Sequence, residues 1–142
     1  MQEIVADMWG FAGQAVIAIT TNGTVTGDGR AVFGRGCARQ AGARYPDLAH
    51  RLGGLLLEHG NHVFPLGHGL VSFPVEETAW SLPDPLLIAR SAQELRMLAD
   101  HEGWTRVVVP RPGCGYGGLE WGMVRPLLEP MFDQRFTVIR IE

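Results

Sequence analysis

Val107-Val108-Val109-Pro110-Arg111-Pro112-Gly113-Cys114-Gly115-Tyr116-Gly117-Gly118 decides how this chain is read. Three successive β-branched apolar residues suit a strand covered on both faces. The glycines that follow make a loop whose backbone can approach a ligand closely, and a helical pattern then runs over residues 119–132. Outward from this unit, strand-length apolar runs recur at 15–19, 70–73 and 136–141, with weaker ones at 63–66 and 3–6, each bounded by Gly, Pro, Asn or Asp. Helices are predicted over 37–45, over 47–58 with Leu48, Leu52, Leu55 and Leu56 on one face, and over 85–102 with Ile88, Leu95 and Leu98 at helical spacing. Alternating strands and helices imply an α/β fold in three layers, with helices on both faces of the sheet. No linker, repeat or like-charge block divides the chain, so residues 1–142 are read as a single domain.

Composition narrows the chemistry. A chain of 142 residues, 46% hydrophobic and 19% charged, has the content of one globular core. Net charge −3 and a pI near 5.9 give no general attraction for nucleic acid or anionic membrane, although a local Arg cluster can still bind phosphate. All 12 basic residues are Arg. Without Lys there is no Schiff base, no P-loop Lys and no Lys nucleophile. Two cysteines, Cys37 and Cys114, are too few for a disulfide framework and suit a reducing compartment. Residues 1–10 carry Glu3 and Asp7 with no basic leader, and no apolar run approaches the ~20 residues of a membrane span. A cytoplasmic protein with no membrane partner is expected.

The 19 glycines concentrate in two stretches, 23–36 and 113–118, each placed between a strand and a helix. Such loops hold phosphates in α/β proteins, because their free N–H groups and the helix N-terminus both favour an anion. Each N–H bond to a charged oxygen contributes about 1.5–3 kcal/mol, enough for two loops to hold a diphosphate without Lys or metal. Tight turns are the plainer reading of either loop alone. Gly113, Gly115 and Gly118 also satisfy G-x-G-x-x-G, with Glu142 as the ribose acid of a dinucleotide site. Against that stand the Pro110-Arg111-Pro112 spacer and the single strand that follows.

Asp7-Met8-Trp9, Thr21-Asn22-Gly23, Ala31-Val32-Phe33-Gly34-Arg35-Gly36-Cys37-Ala38, Ser72-Phe73-Pro74 and Pro110 through Trp121 occur in the order and spacing of a known family. The chain resembles the macrodomains, which bind ADP-ribose, and within them the branch of terminal ADP-ribose protein glycohydrolase and of the antitoxin that clears ADP-ribose from DNA bases. The resemblance implies a mixed central sheet with helices on both faces. It implies that Asp7 accepts from the adenine amino group with Met8 beside it, and that Asn22, Gly34, Arg35 and Gly36 border the distal ribose. Gly113, Cys114, Gly115, Tyr116 and Gly117 would wrap the diphosphate. In that branch a Lys after Phe-Pro-x attacks the anomeric carbon, and an Asp in the second Gly loop resolves the adduct. Here those positions hold Glu76 and Gly117, so the covalent Lys route is closed.

A water nucleophile remains, held in line and activated by a carboxylate. Glu76, Glu77 and Asp28 are the candidates, and Glu76 is preferred because it falls at the reactive end; a solvated loop carboxylate is the plainer alternative. A nucleophilic carboxylate is disfavoured for want of a second acid. Asn22 can donate to one ribose hydroxyl and accept from another, or serve only as the turn residue of Asn-Gly. Asp7 can equally cap a helix. Cys37 and Cys114 read as small apolar residues rather than nucleophiles. His59, His62 and His68 lack a completing ligand at metal-site spacing, so no metal and no cofactor are expected. Trp121, Val124 and Leu128 read as core, Trp80 and Tyr116 as covers for ribose or adenine, and Arg35 and Arg111 as phosphate partners, Arg111 equally as the partner of a surface acid.

The leading expectation is a hydrolase that removes mono-ADP-ribose from acidic side chains or a nucleic-acid base, with ADP-ribose and ADP-ribosylated protein as partners. A non-catalytic ADP-ribose reader is the alternative: the two missing catalytic residues favour it, and the absence of an attached effector domain favours the enzyme. An NAD-dependent oxidoreductase comes third.

Overall fold

A computed structural model describes residues 1–140. Ile141, the last residue of the predicted 136–141 strand, and Glu142, the acid of the dinucleotide reading, lie outside the described residues. Six strands form one sheet in the order β1 (Gln2–Val5), β6 (Phe136–Arg140), β5 (Val107–Pro110), β2 (Val16–Asn22), β4 (Leu70–Glu76), β3 (Pro65–Gly67). The first five run parallel, and β3 pairs antiparallel with β4. This is the mixed sheet expected.

Alternation along the strands builds a core on each face. Ala18, Phe73, Val107, Val109 and Val138 pack with α3 (Pro85–Glu102) and α4 (Trp121–Leu128). Ile17, Ile19, Val108 and Ile139 pack on the other side with α1 (Cys37–Arg44) and α2 (Leu48–His59). Val107, Val108 and Val109 are all fully buried, as a strand between two helical layers requires; each such side chain contributes about 1.5–3 kcal/mol by leaving water. The Asp84 carboxylate starts α3 by accepting from the Leu86 N–H at 2.9 Å, Pro85 occupies the first turn, and Gly103 at φ 70° ends it.

The elements depart from expectation where polar residues sit. β2 continues through Thr20-Thr21-Asn22 and β4 through Pro74-Val75-Glu76, three residues beyond the apolar runs. The third strand falls at Pro65–Gly67 rather than 63–66, because Glu94 Oε1 accepts from the Val63 N–H and Ser72 Oγ from the Phe64 N–H. α4 is shorter than 119–132: the Leu119 N–H closes the preceding loop onto the Gly113 carbonyl, and Pro130 follows its last turn.

β4 also slips by one residue against β2. Thr21 pairs with Pro74, but Asn22 pairs with Glu76, leaving Val75 as the extra residue. Parallel order and this slip together bring the ends of β1, β6, β5, β2 and β4 to one edge of the sheet.

Candidate functional site

A cleft of about 780 Å³ opens at that edge, within the size range of small-molecule sites and where open α/β sheets place their ligands. Thr20, Thr21 and Asn22 of β2, Val75 and Glu76 of β4, Pro110 and Arg111 after β5, and Ile139 and Arg140 of β6 form its floor. The 34–36 segment with the first turn of α1 makes one wall, and the 113–117 loop makes the other.

Both walls present main-chain donors. Gly36 precedes α1 at φ 67° with no side-chain cap, so the first N–H groups of the helix are left for solvent or a ligand. Among the described residues, the N–H groups of Gly115, Tyr116 and Gly117 bond to nothing in the protein. The glycines differ in purpose. A Cβ on Gly117 would lie 2.5 Å from the Gly113 carbonyl oxygen and 2.6 Å from Pro83 Cγ, and one on Gly113 would lie 2.8 Å from Leu119 Cδ1. Gly34 and Gly115 meet nothing within 4 Å. Gly117 therefore has no room for a side chain in this loop.

Two guanidinium groups flank the donors. Arg35 lies 5.3 Å from the centre of the Tyr116 ring, linking the two walls, and no carboxylate pairs with it among the described residues. Arg111 lies 4.7 Å above Trp121 and 4.0 Å from Glu3. Glu3 also accepts from the Trp121 indole at 2.8 Å and from Arg125 at 2.7 Å. Arg125 beside Glu3 holds its carboxyl below the usual carboxylate range. Arg111 thus lines the cleft and faces the surface acid Glu3.

On β4, two strands from β5 in the sheet, burial pushes the Glu76 carboxyl above its ordinary value, and that carboxylate has no hydrogen bond or ion pair among the described residues. Its main chain is fixed, with the Glu76 carbonyl accepting from Asn61 Nδ2 at 3.0 Å. Glu77 is exposed, and Asp28 is tied to Thr26 and Arg30 outside the cleft, its carboxyl lowered first by the Thr26 hydroxyl. Asn22 is buried in the floor. Its Nδ2 donates to the Val32 carbonyl at 2.9 Å and its Oδ1 accepts from the Thr24 N–H at 3.0 Å. The amide therefore acts as a turn residue and has one donor and one lone pair left over.

Ten of the twelve expected site residues, Asn22, Gly34, Arg35, Gly36, Glu76, Gly113, Cys114, Gly115, Tyr116 and Gly117, line this cleft. Asp7 and Met8 do not. Asp7 follows β1 at the same sheet edge, where the Ala6 N–H bonds to the Arg140 carbonyl, and its Oδ1 caps a short 3-10 helix, Met8–Phe11, through the Trp9 N–H at 3.0 Å. Met8 is 1% exposed in the core beneath α1 and α2, which leaves only its main chain to lie beside a ligand. Trp80 is 84% exposed and outside the lining, whereas Tyr116, 74% exposed, belongs to it. Val124 and Leu128 are fully buried, and Trp121 packs against them. Burial raises both thiols; Cys37 Sγ sits 3.4 Å from the Thr20 hydroxyl. Among the described residues no three His, Cys, Asp or Glu converge as a metal site, and His62 and His68 pair with Glu94 and Asp47. No helix of the described residues is long and apolar enough to cross a membrane. Sequence reasoning missed Thr20, Thr21, Gln40 and Arg140. The signal for the two threonines was their place directly after an apolar strand, at the sheet edge where α/β folds bind.

No family model matches the sequence, and no curated protein matches it. Solved structures do. The macrodomain of Mycobacterium tuberculosis DarG is similar with a TM-score of 0.80 and 20% identity, over 97% of this chain and 95% of that one. Thermosipho africanus DarTG in complex with ADP-ribose is similar with a TM-score of 0.78 and 18% identity, over 99% of this chain and 41% of that one. The macrodomain of Thermus aquaticus DarG gives 0.73 and 18%, over 99% and 97%. With three layers, a mixed sheet of this order and a cleft at its carboxyl edge, the chain has the macrodomain fold.

Proposed function

We propose that this protein binds ADP-ribose and hydrolyses mono-ADP-ribose from modified acidic side chains or a nucleic-acid base, without a Lys nucleophile. The observation that carries the reading is the division of the cleft. Free N–H groups of residues 115–117, the uncapped start of α1 and the Arg35 and Arg111 guanidinium groups suit a diphosphate, while Glu76 stands apart with an unmet, raised carboxyl. A general base needs a carboxylate that is not tied up in an ion pair and whose affinity for a proton exceeds that of a solvated acid. The ADP-ribose complex of the Thermosipho structure supports the choice of ligand.

A reader that binds without turnover is the second reading. It is favoured by Gly117, where packing excludes the carboxylate of the family's Asp. Calorimetry with free ADP-ribose tests the ligand, and no heat at millimolar concentration overturns both readings. Incubation with a Glu-linked ADP-ribosylated protein and an ADP-ribosylated oligonucleotide separates them: release from either supports the hydrolase, and binding without release leaves the reader. Glu76→Gln is expected to slow release at least tenfold while ADP-ribose affinity stays within threefold. The rate should rise with pH through a limb above the ordinary carboxylate value, and that limb should vanish in the variant. Unchanged turnover removes Glu76 from the chemistry.

A further inference from the structure

The segment between β4 and the first turn of α3, residues 77–86, carries its side chains the wrong way round for a surface loop. Trp80 and Leu82 are 84% exposed and Leu86 81%. Its polar side chains are meanwhile turned on the segment itself. Ser81 Oγ accepts from the Thr78 N–H at 3.0 Å and shares a hydrogen bond with Thr78 Oγ1 at 2.6 Å, and Asp84 caps α3. Both feet are tied down. The Glu77 carbonyl accepts from the Gly23 N–H at 3.1 Å, Thr24 Oγ1 accepts from the Ala79 N–H at 2.9 Å, and the Asp84 N–H donates to the Val75 carbonyl at 2.8 Å. Three large apolar side chains are therefore displayed on a braced frame, which lowers the ordering cost of docking a partner. Exposed apolar groups brought together in this way mark an interaction site, with Trp among the strongest anchors.

The display stands at the mouth of the cleft. Ala79 and Pro83, the chain neighbours of Trp80 and Leu82, line it, and Pro83 packs on the 113–117 loop, its Cγ 2.6 Å from where a Gly117 Cβ would lie. The segment begins directly after Glu76, so a carrier bonded to a ribose beside that carboxylate passes this rim.

Charge separates the possible carriers. Glu76, Glu77 and Asp84 lie in or next to the segment, and no Arg occurs between Arg51 and Arg90. Arg90 is itself engaged by Glu94 and the Asn61 carbonyl. The α1 side of the cleft is the reverse, with Arg35, Arg39 and Arg44 and no acid between Asp28 and Asp47. A nucleic-acid strand needs cations along its phosphates, and aromatic platforms for bases come with a basic groove. At this rim its phosphates would meet carboxylates. A polypeptide with apolar and basic side chains complements both features.

We propose that Trp80, Leu82 and Leu86 dock the polypeptide that carries the ADP-ribose, gripping apolar side chains beside the modified acidic residue while Glu77 and Asp84 favour basic ones; this rests on the ADP-ribose reading above and holds for release and for recognition alike. The carrier is thereby a protein rather than a nucleic acid.

Two Glu-linked ADP-ribosylated peptides test this, one with Leu, Phe and Arg beside the modified residue and one with Gly, Ser and Asp there, alongside an ADP-ribosylated oligonucleotide and free ADP-ribose. Affinity is read as Kd, or as KM where the ADP-ribose is released. Wild type is expected to bind the first peptide about tenfold more tightly than the second peptide or the oligonucleotide. Trp80→Ser combined with Leu82→Ser should abolish that preference. Affinity for free ADP-ribose should stay within about twofold and the thermal midpoint should not fall, because both side chains already face water. Equal affinity for the two peptides overturns the inference, as does a preference that survives the double substitution. Tightest binding of the oligonucleotide assigns the carrier to nucleic acid and overturns it too. So does a parallel loss for free ADP-ribose, which makes the rim a cover for the ligand itself, and so does a wild-type dimer that the substitutions dissociate in sedimentation, which makes a second copy the occupant. Wild type that binds no free ADP-ribose overturns the proposed function, whereas intact ADP-ribose binding without the peptide preference overturns the docking rim alone.

Discussion

The two glycine-rich stretches look alike in sequence and do different work. In the 113–117 loop every residue lines the cleft. Of 23–36 only residues 34–36 do. Before them the chain makes a small hairpin, with an isolated bridge between Val25 and Ala31 and a turn closed by the Thr26 N–H on the Arg30 carbonyl at 2.8 Å. That hairpin lies against α2, where the Ala31 N–H bonds to the Ala49 carbonyl at 2.8 Å and Gly53 packs on the Gly29 carbonyl. A glycine cluster therefore marks close backbone approach, and the thing approached can be a ligand or another part of the same chain.

Substitutions can break or sharpen this contrast. Gly53→Ala drives a methyl into the Gly29 backbone and is expected to lower stability by about 3 kcal/mol in urea unfolding, while the folded protein keeps its affinity for ADP-ribose. Gly117→Ala collides with the Gly113 carbonyl inside the cleft wall. A cost of about 2 kcal/mol with at least a tenfold loss of affinity is expected, both readable in one thermal-shift titration. Gly115→Ala meets open space, so stability should stay within about 0.5 kcal/mol and affinity should fall about tenfold, about 1.4 kcal/mol, if its N–H faces phosphate. Equal losses of affinity in Gly53→Ala and Gly115→Ala would erase the contrast. The smallest effect concerns charge. Folding raises the Glu76 carboxyl and so favours its neutral form; the resulting destabilisation is absent at pH below the ordinary carboxylate value and grows as pH rises through the raised one. Glu76→Gln should therefore melt slightly above wild type at pH 7, with the gap closing as pH falls to about 4.

The layers were legible because burial imposes period and punctuation: Val107 to Val109, the Leu48-Leu52-Leu56 face and the Asp84-Pro85 helix start each state their role locally. The strand ends were not legible. Thr20-Thr21-Asn22 and Pro74-Val75-Glu76 look like loop residues because polar side chains and a proline interrupt the apolar pattern, and the residues there are placed by pairing with a distant strand. The slip that sets Glu76 opposite Asn22 has no local sign. Ten of the twelve expected residues came together in the cleft, since glycines and a shared sheet edge suffice to place them. Asp7 and Met8 depend on where β1 docks, which only the assembled sheet decides.

That docking is slight. None of the four residues of β1 is buried, and the strand is held by β6 on one side and by the grip of Glu3 on Trp121, Arg125 and Arg111. Its amides should fray and exchange with deuterium sooner than those of β2 or β5. A ligand that engages Arg111 would bear on the Glu3 grip that holds this margin strand, so cleft occupancy should become visible as altered exchange at Ile4 and Val5.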